Sequence, residues 1–166
     1  MIERITPELC VEVAIRTEEF GAQMYADLAD RFRSDPVLRE LFAALGQDEV
    51  EHGERFRALR DRLVSRGGAG PLSAEQTEYL RAMAMSEIFE AEGLARRVDG
   101  IRTREDALER ALHLEKATLA YYQAMREVLG ADEVLDSLIG VEKKHVLKVM
   151  QLMMTGARFR GFADAF

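Results

Sequence analysis

The stretch Leu45-Gly46-Gln47-Asp48-Glu49-Val50-Glu51-His52-Gly53-Glu54-Arg55-Phe56 lies inside a long helical pattern and interrupts it. Steps of three and four place positions 38, 41/42, 45, 49, 52, 56, 59 and 63 on one face, which an inward-facing helix keeps apolar. Leu38, Leu41, Leu45, Phe56, Leu59 and Leu63 conform, whereas Glu49 and His52 do not. Near the other end of the chain, Leu135, Leu138, Val149 and Leu152 define a second apolar seam. Glu142 and His145 interrupt it at the corresponding point. Both interruptions read Glu-x-x-His, a spacing that lets one helix aim a carboxylate and an imidazole at the same place.

Working outward, the chain divides into helices with recognisable ends. The first runs from about Pro7 to Phe32, with Val11, Ala14, Ile15, Ala22, Tyr25, Leu28 and Phe32 on one face. Ser34-Asp35-Pro36 supplies a cap and an N1 proline for the second, which stops at Gly67-Gly68-Ala69-Gly70-Pro71. A less regular helical stretch follows Ser73 to about Val98. Thr103-Arg104-Glu105-Asp106 resembles a capping box and opens the next long helix, which closes at Gly130. Asp132 caps the last one, with Gly156 as its expected stop. No strand pattern appears. Residues 1–166 thus read as a single all-α domain: a hairpin over 7–66, a helix-containing crossover over 67–103, a hairpin over 104–155 and a short tail over 156–166. Short turns imply antiparallel neighbours, and the long connection permits a crossover between the pairs, giving a four-helix bundle.

Two more carboxylates fall in apolar stripes. Glu18 lies among Val11, Ala14, Ile15, Ala22 and Tyr25, and Glu115 among Ala111, Leu112, Thr118, Leu119 and Tyr122. Buried carboxylates are costly unless paired or bound to metal. Two divalent cations would balance the four glutamates, with His52 and His145 as neutral donors. Depth along the helices agrees. Glu18 lies about 16 residues before the first turn and Glu49 and His52 about 14 to 17 after it; Glu115 lies about 15 before the second turn and Glu142 and His145 about 10 to 13 after it. At about 1.5 Å per residue each pair is level to within roughly one helical turn. Tyr25 and Tyr122 each follow a ligand glutamate by seven residues. They either pack in the core or give their hydroxyls to ligand carboxylates.

Composition bounds the rest. A net charge of −7 argues against a general nucleic-acid binder. The single Cys10 excludes an internal disulfide, a four-cysteine iron–sulfur cluster and a CxxC pair. The start Met1-Ile2-Glu3-Arg4 lacks signal-peptide character, and no apolar run approaches the roughly 20 residues of a membrane span. A cytoplasmic protein without a membrane partner is expected. His113, Glu19 and Glu51 read as solvated; Glu87, Glu90 and Glu92 read as an acidic face of the crossover helix or as a source of one more ligand.

The motifs Ala14-Ile15-x-x-Glu18-x6-Tyr25 and Ala111-Leu112-x-x-Glu115-x6-Tyr122 resemble each other, as a duplicated helical hairpin would. Together with Glu49-x-x-His52 and Glu142-x-x-His145, they make roughly residues 7–155 resemble the rubrerythrin-like branch of the ferritin-like superfamily. The resemblance implies a ferritin-like bundle with two iron ions on Glu18, Glu49, His52, Glu115, Glu142 and His145, ligands that zinc or manganese would also suit. It further implies a reaction with O2 or H2O2, of peroxidase or ferroxidase type. Rubrerythrins proper carry a four-cysteine rubredoxin domain, and with Cys10 alone this chain is expected to draw electrons from an external donor. A homodimer or small homo-oligomer is expected. Competing readings are a ferritin- or bacterioferritin-like storage subunit, a diiron hydroxylase of an organic substrate, and a dimetal site that only stabilises the fold.

Overall fold

The structure, a computed structural model, describes residues 5–68, 70–95 and 100–163; side chains at 92, 94, 95 and from 156 onward lie outside that description. Four long helices form the bundle: α1 (Pro7–Arg31), α2 (Pro36–Ser65), α5 (Arg104–Leu129) and α6 (Glu133–Ala163). Between the pairs, α3 (Ala74–Met83) continues through a π-helical stretch, Ala84–Phe89, into α4 (Glu90–Ala95). The fold is the expected all-α ferritin-like bundle.

Each helix starts where its sequence provides acceptors for otherwise unpaired backbone N–H groups. Thr6 accepts from Leu9 N ahead of Pro7, and Asp35 accepts from Val37 N and Leu38 N ahead of α2. Thr103 and Asp106 make a reciprocal capping box at α5, as Ser73 and Gln76 do at α3. Asp132 Oδ1 accepts from Val134 N and Leu135 N at the start of α6. The second oxygens of two caps fix the topology. Asp35 Oδ2 takes Arg104 Nη1, joining the first turn to the start of α5, and Asp132 Oδ2 takes Arg62 Nη2, joining the second turn to the end of α2. The crossover therefore returns along the bundle, and α1 runs antiparallel to α5, as α2 does to α6.

The core is built from the predicted seams. Val11, Ala14, Leu28, Leu38, Phe42, Leu45, Phe56, Ala111, Met125, Leu138 and Val149 are fully buried or nearly so. The crossover is held by Leu72, Leu80, Ala84, Ile88 and Ala91, all buried. Its apparent irregularity has a cause in the π-helical stretch, whose wider turn shifts the apolar spacing. The helix was expected to reach about Val98; it is described to Ala95, and residues 96–99 lie outside the description. The stop expected at Gly156 is corrected, since α6 runs through it to Ala163. A lone glycine costs a helix about 1 kcal/mol without ending it, and no proline follows. Among the described residues, no helix is long and apolar enough to cross a membrane.

Candidate metal centre

Glu18, Glu49, His52, Glu115, Glu142 and His145 all point into the middle of the bundle, none more than 4% exposed. They form two sets of four whose ligand atoms lie within 4.8 Å of one another: Glu18, Glu49, His52 and Glu142, and Glu49, Glu115, Glu142 and His145. Glu49 and Glu142 belong to both sets. Each set thus has its own glutamate and histidine and shares two carboxylates with the other.

Both histidines turn Nδ1 inward. His145 Nδ1 lies 3.2 Å from Glu115 Oε2 and 3.7 Å from both Glu49 Oε1 and Glu142 Oε2. His52 Nδ1 lies 2.9 Å from Glu142 Oε1 and 3.6 Å from Glu18 Oε2. The two rings stack with centroids 5.5 Å apart. Glu18 Oε2, His52 Nδ1 and Glu142 Oε1 are buried and make no well-directed hydrogen bond, although His52 Nδ1 and Glu142 Oε1 approach to 2.9 Å. An orphaned buried polar atom ordinarily costs about 1–3 kcal/mol. Three converging on one point are what donors to a shared cation look like, and the residues fit a pair of divalent ions.

The tyrosines settle between their two readings. Tyr25 donates its hydroxyl to Glu115 Oε1, and Tyr122 donates to Glu18 Oε1, both in short hydrogen bonds. Each phenol serves the glutamate of the opposite hairpin rather than the one seven residues before it. Helical side chains lean toward the N-terminus, so each tyrosine reaches back to the carboxylate layer and across to the antiparallel partner. Burial, then the charge of that carboxylate, holds both phenols well above their ordinary range, so they act as donors.

The cluster's electrostatics are uneven. Burial drives Glu18 up to about 8 and Glu115 up to about 7, the latter against the pull of its hydrogen bond to His145. Burial, then the charge of Glu18, holds Glu49 well above the carboxylate range. Burial would raise Glu142 too, but His145 and His52 outweigh it and hold this carboxyl at about 2. Burial would lower the His145 ring, yet its bonds to Glu115 and Glu142 lift it to about 11. Without cations the cluster therefore mixes protonated and ionised carboxyls, and two divalent ions would let all four ionise.

Sequence reasoning missed the surroundings of these six residues. Asp48, one residue before Glu49, places Oδ2 3.0 Å from His145 Nε2. Nothing in the helical pattern marks it, because its partner lies 97 residues away on α6. Gly21 also went unremarked. A Cβ there would sit 3.3 Å from the Glu49 carboxylate, so the glycine lets that side chain lie against α1. Beside it, a groove of about 310 Å3 between α1 and α2 has Glu49, Gly53, Ala22, Glu19 and Arg57 among its walls. Thr118 bonds to the carbonyls of Leu114 and Glu115 and places Oγ1 3.4 Å from Glu142 Oε2.

The residues read as solvated are so. His113, Glu19 and Glu51 are exposed, and Cys10 is a buried thiol pushed up to about 12 by burial. Among the described residues, neither Glu87 nor Glu90 joins the cluster, and the Glu92 side chain lies outside the description.

A family model described as Rubrerythrin matches residues 10–153, a span that takes in all six clustered residues and both tyrosines. Searches of curated proteins and of solved structures gave no match. With the match covering most of its length and the buried glutamate–histidine cluster inside it, the chain belongs to the rubrerythrin family of the ferritin-like diiron-carboxylate superfamily.

Proposed function

We propose that the cluster holds two iron ions and that the protein is an oxidoreductase of ferroxidase or peroxidase type, acting on O2 or H2O2. The observation that carries this reading is the pair of four-residue ligand sets, buried and joined through Glu49 and Glu142. Hard carboxylates favour oxidised iron and imidazole suits both oxidation states, so the donor set matches iron better than a soft metal. Bound there, two ferrous ions supply the two electrons that reduce H2O2 or begin the reduction of O2. The chain's own residues do the rest. Glu18 and His52 would hold one position and Glu115 and His145 the other, with Glu49 and Glu142 available to both. Tyr25 and Tyr122 anchor one oxygen each of Glu115 and Glu18, which would leave the other oxygen available to an ion. Burial keeps bulk water off the ligands. Cys10 is buried away from the clustered residues, so re-reduction is assigned to a donor other than this thiol.

The test is anaerobic loading with Fe2+ followed by rapid mixing with O2 or H2O2. Two ferrous ions per chain should be oxidised, and the double change His52→Ala with His145→Ala should abolish this. Loaded protein that stays ferrous with both oxidants would remove the oxidoreductase reading while leaving the metal site standing.

A further inference from the structure

The two halves of the cluster repeat each other in their ligands but not in what lies behind the histidines. His145 presents Nδ1 to Glu115, Glu49 and Glu142, while its Nε2 lies 3.0 Å from Asp48 Oδ2. A carboxylate accepts only, so this contact requires the proton on Nε2. It turns Nδ1 toward the cluster and fixes the plane of the ring. His52 also turns Nδ1 inward, but among the described residues no side chain bonds its Nε2. In the sequence repeat, the counterpart of Asp48 is the residue before Glu142, which is Val141.

We propose that Asp48 is a positioning residue that makes the two metal positions unequal: it holds the His145 ring with Nδ1 aimed at the cluster, so the ion on Glu115 and His145 binds more tightly than the ion on Glu18 and His52. The inference rests on the dimetal reading above. Two observations argue against a merely structural role for the contact. The Asp48 side chain is 44% exposed while that of His145 is 5% exposed, so the pair joins the surface to the cluster. An ion pair with one partner so open to water adds little to folding. The ring nitrogen that Asp48 contacts is the one turned away from the other ligands, which is where an outer carboxylate orients a metal-binding imidazole. The first position, with a histidine unsupported in this way, becomes the one that loads last and exchanges first.

Calorimetric titration of the metal-free protein with Co2+ tests this, using wild type, Asp48→Asn, Asp48→Ala and Val141→Asp. Wild type should bind two ions in resolved steps. Asp48→Ala should weaken the tighter step by about 10–100-fold and leave the weaker one unchanged. The melting temperature of the metal-free protein should not move. Asp48→Asn keeps an acceptor for the Nε2 proton but not the charge, and should lose less. Val141→Asp offers His52 the missing carboxylate and should tighten the weaker step. Equal constants in wild type and Asp48→Ala, or a loss shared by both steps together with a lower melting temperature, would overturn the proposal. Wild type that takes up no Co2+ would instead bring down the dimetal reading, and the inference with it.

Discussion

Glu49 lies against Gly21, whereas its counterpart in the second hairpin, Glu142, lies against Thr118. The same contrast recurs around both ligands. Where the first hairpin has Gly46 and Gly53, the second has Ile139 and Val146. A Cβ at Gly46 would come 3.3 Å from the Cβ of Tyr25 and 3.6 Å from the Ala22 carbonyl, so glycine lets α1 and α2 approach closely. The first hairpin packs through small residues and leaves a groove beside Glu49, while the second packs through larger ones. Charge differs too, since Glu49 is driven toward its protonated form and Glu142 is held ionised by both histidines. Ligand-type residues are repeated between the hairpins, one glutamate and one histidine to each set. Packing, which only has to fill space, has gone two ways.

The sharpest test of that comparison removes the shared ligands. Glu49→Ala and Glu142→Ala should each lose both ions and lower the rate of iron oxidation on the order of 100-fold or more, beyond the loss typical of an outer partner. Glu18→Ala and Glu115→Ala should each retain one ion. Metal per chain, measured by atomic emission, separates the cases. If Glu49→Ala kept two ions while Glu142→Ala kept none, only one carboxylate would be shared and the symmetry of the centre would be broken.

Acidity gives the next largest effect. In the metal-free protein Glu18 and Glu115 titrate at about 8 and about 7, against about 4.3 for an unfolded glutamate. Stability from their protonated forms is complete below the unfolded value and is lost as pH rises through the folded ones. His145, raised to about 11, acts in the same direction above about 6.5. Glu142 works oppositely, losing its contribution only as pH falls toward about 2, and is flat in this window. Each proton held only by the folded state gives a slope of about 1.4 kcal/mol per pH unit. The melting temperature of the metal-free protein should therefore fall between about pH 5 and pH 8. That of zinc-loaded protein should rise, because protons compete less for the ligands. A metal-free protein that gains stability across this range would show that the cluster is not protonated as described.

The smallest effects probe packing directly, by denaturant unfolding. Gly46→Ala meets the Cβ of Tyr25 and a backbone carbonyl, neither free to move, and should destabilise by about 1–2 kcal/mol after its gain in helix propensity. Gly140→Ala, in α6 of the second hairpin, meets nothing within 4 Å and should stabilise by about 0.5–1 kcal/mol. Equal effects at the two sites would erase the packing difference between the hairpins.

Most of the fold and all six clustered residues could be read from the sequence because each leaves a local trace. Glu49, His52, Glu142 and His145 interrupt apolar seams, the caps at Asp35, Thr103 and Asp132 mark helix starts, and Glu18 and Glu115 share a repeated spacing to tyrosine. What stayed hidden depends on pairing between distant segments. The contact of Asp48 with His145 crosses from α2 to α6, and the tyrosine bonds cross between hairpins in a way that spacing along one helix does not reveal. The run of α6 through Gly156 was missed for a different reason, since the glycine signals a stop only when the residues after it leave the helix.

The crossed tyrosines also bear on how the molecule comes apart. Tyr25 of the first hairpin completes Glu115 of the second, and Tyr122 completes Glu18, so each half carries the partner that the other's buried carboxylate requires. A chain with one hairpin folded and the other open would have lost both bonds at once, leaving Glu18 or Glu115 without its phenol. No half-folded species keeps either glutamate's phenol partner. Unfolding of the bundle should accordingly be cooperative across its two halves, a single transition in which partners 90 and 104 residues apart in sequence separate together.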